Sequence, residues 1–319
     1  MKPAYLPRRT SSRGELLAHV SALYYLDGCT QAVIARRLRL SRQKVCRLLA
    51  FAREAGMVRI AVRPPQGVLV TLESELEERF GLREVRIAAL QAGDSPDAVR
   101  RRIGVTAAAD LVRTLRAARA VGIVGGELLA SMVDAVAPMS TSDVRVLQAI
   151  GWEHTPSARR PLAELVCELA RRIAGTAVVL NVPSIVDSGA VKRQLEGDDH
   201  IGEALRELGA LDALYVDIAT GDARAAPASR GQAPAGRIAL RHFDHRGRML
   251  GQYVDGHVLG ITLEQLGRAR HVVALACGPS HAAAISAAMR TGLIHGLITD
   301  ELTARAIAAL PLPIEGSPT

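Results

Sequence analysis

From residue 85 onward the chain repeats one pattern. Seven short apolar runs (residues 85–90, 120–124, 144–149, 177–181, 213–218, 271–276 and 293–299) read as strands. Helical patterns fill most of the intervals, at 97–119, 127–137, 160–174, 201–208, 280–290 and 300–310. Strands alternating with helices predict an α/β domain whose mostly parallel sheet is covered by helices on both faces. Ligands of such sheets bind in loops beyond the carboxyl ends of the strands. Four places there attract attention: Gly125-Gly126-Glu127 after the second run, Asp187 after the fourth, Asp217 at the end of the fifth, and Gly278 with His281 after the sixth. Glycines ahead of a helix let backbone N–H groups approach an anion, or they only make tight turns; both readings stay open. The loop lacks the G-x-G-x-x-G spacing of a dinucleotide site, and no cofactor is expected.

The first 63 residues are different in kind. They hold thirteen Lys and Arg against three acids, a net +10, whereas the rest of the 319-residue chain nets −2. A compact cationic segment beside a nearly neutral large one points to a polyanionic partner. After an expected flexible basic arm at 1–12, Leu16, Val20, Leu23, Tyr24 and Leu26 form an apolar stripe that Asp27-Gly28 ends. Thr30 is placed to cap a short helix over 31–38 that buries Val33, Ile34 and Leu38. Ser41 caps a third helix from Arg42 to about Ala55, with Val45, Leu48, Leu49 and Ala52 inward. Gly56 stops it, and residues 57–62 read as a short strand that would form a wing.

Two short helices, a tight turn and a capped third helix make a helix-turn-helix, predicted over 13–63. The second helix braces the third, whose first turns enter the major groove of duplex DNA. Arg42 and Gln43 carry donors suited to base edges, and Lys44 and Arg47 suit phosphates. Thr30, Gln31 and Ser41 bring hydroxyls, an amide and helix N-termini to the backbone.

Pro64-Pro65-Gln66-Gly67 marks a linker. Leu69, Leu72, Leu76 and Phe80 then recur at helical spacing as an amphipathic helix, a lid on the large domain or a short dimer coil. The large domain is expected over 81–312, with a tail at 313–319. Cys29, Cys46, Cys167 and Cys277 form no ligand-spaced cluster. Neither a signal segment nor a run of membrane-spanning length is visible, so a cytoplasmic protein without a membrane partner is expected.

Tyr24-Tyr25, Thr30-Gln31, Ile34-Ala35 with Leu38, Ser41-Arg42, and Ala52-Arg53-Glu54 with Gly56 and Val58 together resemble the DNA-binding domain of the SorC family of sugar-responsive bacterial transcription regulators. The large domain resembles that family's effector domain at Val182-Pro183-Ser184-Ile185-Val186-Asp187-Ser188, at 242–247, at 258–266 and, most specifically, at 292–304. The resemblance implies a fold related to sugar-phosphate isomerases and a carbohydrate or sugar-phosphate-like effector. It also implies an operator partner and a homodimer or homotetramer. The chain departs from the pattern at several positions. Where relatives carry a Ser-Trp-Gly-x-Thr phosphate loop, it has Val124-Gly125-Gly126-Glu127-Leu128; where they have Gly-Gly-x-x-Lys, it ends in His281. Asp255 replaces an Asn, and Cys46 a Ser. An acid at an anion site predicts weak phosphosugar binding.

Three rival readings remain. Asp187, Asp217 and His281 suggest acid–base chemistry of the isomerase type, although their spacing shows no catalytic pairing. His242 and His245 are spaced to chelate a metal, but on a strand-to-turn segment. A ligand-independent DNA-binding protein with a degenerate effector site is the third.

Overall fold

The structure is a computed structural model, and it describes residues 13–58, 69–141, 143–153, 160–220, 234–250 and 256–311. The arm at 1–12, most of the expected wing, Asp255 and the tail at 313–319 lie outside the described residues. The chain forms two compact units, 1–63 and 64–319.

In the small unit, α1 (Arg13–Ser21) runs into one wide helical turn, Ala22–Leu26. It is followed by α2 (Gln31–Leu38) and α3 (Arg42–Glu54). Val20, Leu23, Ile34, Ala35, Val45 and Leu49 close a core between the three helices. Two expectations are corrected. Leu26 is 83% exposed and Val33 38% exposed, because the wide turn takes Leu26 off the α1 stripe and Ile34 with Ala35 occupy the buried face of α2.

The turn between α2 and α3 closes as a Schellman motif. Leu40 N–H donates to Ala35 O at 2.9 Å and Arg39 N–H to Arg36 O at 3.4 Å, with Arg39 left-handed at φ 53°. A side chain there costs about 1–2 kcal/mol that glycine avoids, partly offset by glycine's freer unfolded state. Arg39→Gly should therefore slow hydrogen exchange of the α2 and α3 amides, by a gain of roughly 0.5 kcal/mol. Faster exchange would show that the Arg39 side chain supports the turn.

The large unit opens with α4 (Val70–Phe80), whose Leu76 is fully buried and whose Leu72 and Phe80, with the preceding Leu69, pack on the same core. Seven strands follow: β1 (Glu84–Ala88), β2 (Ala120–Val124), β3 (Arg145–Gln148), β4 (Thr176–Val178), β5 (Ala213–Asp217), then, after four short strands, β10 (Val272–Leu275) and β11 (Gly296–Asp300). They form one parallel sheet in the order β1-β11-β10-β5-β2-β3-β4. Alternation along each strand divides the core. Val121 and Ile123 of β2, with Ala213 and Tyr215 of β5, face α5 (Pro96–Thr114), α6 (Glu127–Ala135) and α7 (Leu162–Ile173). Ala120, Val124, Leu214 and Val216 face the opposite side, with α4, α11 (Ala282–Met289) and α12 (Glu301–Ala308).

On the outer side of β1, α4 supplies the missing hydrogen-bond partners. Glu77 Oε1 accepts from Val85 N–H at 2.8 Å and Glu73 Oε1 from Ile87 N–H at 2.9 Å. Carboxylates thus occupy donors that would otherwise template another strand.

Three departures from the sequence reading stand out. The helix expected over 97–119 ends at Thr114. Two unexpected helices appear, α8 (Gly189–Glu196) and α10 (Leu263–Arg268), besides α9 (Asp199–Glu207). A second sheet, antiparallel, joins β6 (Ala219–Thr220), β7 (Gly236–Ile238), β8 (Arg241–Phe243) and β9 (Met249–Leu250).

Candidate functional site

In the small unit, Thr30 Oγ1 accepts from Val33 N–H at 3.4 Å and Ser41 Oγ from Lys44 N–H at 3.2 Å. Each hydroxyl is used as an acceptor in its cap, which leaves its proton to donate outward. Ser41, Arg42, Gln43, Lys44, Cys46 and Arg47 are all exposed, as is Thr30, while Gln31 is partly buried. Val45 and Leu49 are buried beneath them. The first two turns of α3 therefore present a continuous polar and cationic surface on a rigid apolar base, the form that major-groove reading requires.

In the large unit, the chain runs outward from β2 through β3 to β4 and returns to place β5 against the other side of β2. The switch point between β2 and β5 opens a cleft of about 620 Å³ beyond their carboxyl ends. Ligand sites of this sheet type sit at that position and have that size. Gly125, Gly126 and Glu127 line it from the β2–α6 loop, and Asp217 from the end of β5. Of the other expected effector residues, Asp187 is exposed and lies away from the lining, and so does His281. Gly278 belongs to the neighbouring loop after β10, where its N–H donates to Thr303 Oγ1 at 2.8 Å.

Asp217 is bound to the opposite wall. Its Oδ2 accepts from Leu128 N–H at 3.3 Å, at the start of α6, and Leu129 N–H adds a second bond. A Cβ on Gly126 would stand 1.7 Å from that oxygen, so only glycine admits the carboxylate. Oδ1 is shut off from solvent and has no hydrogen-bond partner. Burial, with a smaller push from Glu127, raises the carboxyl to about 7 against the pull of the two N–H donors.

The walls contain residues that sequence reasoning passed over. Trp152, 52% exposed, lines the cleft, and it is the single tryptophan of the chain. Its place just past β3 was a usable signal. Arg100 pairs with Glu127 at 3.3 Å and also with Asp97, Arg160 with Asp134 at 2.8 Å, and Arg237 with Glu153 at 3.3 Å. His242 lies buried in the small sheet, and burial and then Arg237 hold its pKa below the usual histidine value. Among the described residues, no group of three or more His, Cys, Asp and Glu is placed to hold a metal ion, and no helix is long and apolar enough to cross a membrane.

A capped helix-turn-helix ahead of a parallel α/β unit with a switch-point cleft defines a ligand-responsive DNA-binding regulator. The family model described as a putative sugar-binding domain matches residues 65–309. The LsrR transcriptional regulator of Klebsiella pneumoniae is 30% identical over 312 residues, 93% of each chain. The deoxyribonucleoside regulator of Bacillus subtilis is 27% identical, over 92% of this chain and 97% of its own. The crystal structure of the full-length sorbitol operon regulator SorC from Klebsiella pneumoniae superposes with a TM-score of 0.70, at 24% identity, over 94% of this chain and all of that one. The chain belongs to the SorC family of sugar-binding transcription regulators.

Proposed function

We propose that Arg42 and Gln43 read base edges of an operator while Thr30, Gln31, Ser41, Lys44 and Arg47 hold its phosphates. We further propose that a small carbohydrate-like effector in the β2–β5 cleft alters operator affinity. The exposed cap of α3, seated on buried Val45 and Leu49, carries the first reading. Effector control requires two states with unequal affinity for the ligand. A twofold-symmetric operator calls for a homodimer or homotetramer, and a regulator of this kind works in the cytoplasm. Gly125, Gly126, Glu127 and Asp217 are the effector contacts that the cleft supports; Asp187, Gly278 and His281 are not on its lining, and Asp255 lies outside the described residues. Catalysis is not part of this reading, since Asp187 and His281 do not meet Asp217 in the cleft.

The test is operator binding by the full chain at several salt concentrations. Lys44→Ala should weaken binding to operator and to scrambled duplex alike and lower the slope of log affinity against log salt by about one. An unchanged slope would remove Lys44 from the phosphate contacts. Failure of the wild-type chain to prefer its own upstream DNA over scrambled duplex would overturn the reading.

A further inference from the structure

The β2–α6 loop has the form of an anion seat. Two glycines precede α6, and Gly126 gives its N-terminus no side-chain cap. The free N–H groups of a first turn attract an anion by geometry and by the helix dipole. In this chain those groups already have one. Asp217, from the end of β5, sends Oδ2 to Leu128 N–H at 3.3 Å and to Leu129 N–H. Gly126 is packed so closely against that oxygen that any Cβ would collide with it.

We propose that Asp217 fills the anion seat of this cleft with the chain's own carboxylate, so that the effector it takes is an unphosphorylated, hydroxyl-rich molecule. This rests on the cleft being the effector site.

The rest of the cleft agrees with that assignment. A phosphoryl group would enter beside the buried Asp217 carboxyl and bring about two negative charges of its own that need cations. Three of the four guanidinium groups on the lining, those of Arg100, Arg160 and Arg237, are already held by carboxylates. Taking one for a phosphate would strip an acid of its partner. A neutral polyol makes no such demand. Asp217 Oδ1 is closed off from the cleft and has no partner of its own, so the carboxyl is held within the seat through Oδ2 and is not spread on the cleft surface. The half-exposed ring of Trp152, beside Ile150, Leu162 and Leu240, offers an apolar wall for the C–H face of a sugar. Burial keeps the Asp217 carboxyl high in its range, which lowers the cost of holding it in the seat without a counter-cation.

The single tryptophan lies in the cleft, so its emission reports occupancy there. The experiment titrates the full chain with inorganic phosphate and with glucose 6-phosphate. Wild-type emission should stay flat to about 10 mM of either probe. Asp217→Ala empties the seat and should give a saturable change at least about tenfold lower in concentration. Asp217→Asn, which refills the seat with a group of the same size, should stay flat. A wild-type response to either probe, or an unresponsive Asp217→Ala chain, would overturn the proposal. Should operator release by the wild-type chain answer to no carbohydrate while Asp217→Ala still takes phosphate, the effector reading fails and the seat assignment stands.

Discussion

Asp217→Asn is expected to make the chain more stable than wild type at pH 8 and to leave the two nearly equal near pH 4. The reason lies in where the proton is held. In the folded chain the Asp217 carboxyl titrates at about 7, against 3.8 when unfolded. Between those values the folded state keeps a proton that the unfolded state has released, so stability falls as pH rises. The contribution is fully present below about 3.8, erodes through the window and is gone above about 7. Three units of displacement correspond to at most about 4 kcal/mol, of which roughly 2–3 kcal/mol opens between pH 5 and pH 8.

Asparagine keeps an acceptor for Leu128 N–H and removes the titration. His242, His271 and His295 titrate in the opposite sense, because burial lowers each of them. They are common to both chains, so the difference between variant and wild type isolates Asp217. Urea midpoints of both chains at pH 5 and pH 8 provide the measurement. Parallel shifts, with no widening gap, would mean that the carboxyl is not buried against α6 as the structure has it.

How much of this could be read from the sequence depends on the length scale of each feature. The central strands β2, β5, β10 and β11 were legible because both of their faces are buried, which leaves uninterrupted apolar runs. The caps at Thr30 and Ser41 were legible because a cap acts within three residues. The small antiparallel sheet was not. Its strands are two or three residues long, and the tight turn between β7 and β8 is made by Ala239 and Leu240, both at positive φ. Such a turn ordinarily announces itself by Asn-Gly or Gly; here it carries neither, and both residues line the cleft. Strain of this kind gathers at ligand sites. Asp217 shows the same limit at longer range. The end of a strand was visible, but its bond to Leu128, 89 residues away in sequence, was not. Glu127 was read as the acid that spoils the anion site. In the structure Glu127 turns to Arg100, and the acid in contact with the amides is Asp217. His281 and Asp187 were chosen because they follow strands, and neither is on the lining of the cleft.

The second large effect belongs to the recognition helix. Gln43→Ala should cost about 1–3 kcal/mol of operator affinity, roughly 5- to 150-fold, and Arg42→Ala a similar amount. Neither should weaken binding to scrambled duplex as much, because a base-reading side chain adds little to the non-specific term. That asymmetry separates these two residues from Lys44, whose loss should lower both affinities together. Both side chains are exposed in the first turn of α3, where truncation to Ala leaves the cap at Ser41 and the buried Val45 and Leu49 untouched. A lost affinity therefore reports a lost contact and not a melted helix, which circular dichroism of each variant would verify. Binding-site selection from randomised duplexes adds the sharper reading. With Gln43→Ala, preference should relax at one base pair of each half-site and persist at the others. If both variants bind operator within about twofold of wild type, the first turn of α3 does not enter the groove, and base reading must come from another part of the small unit.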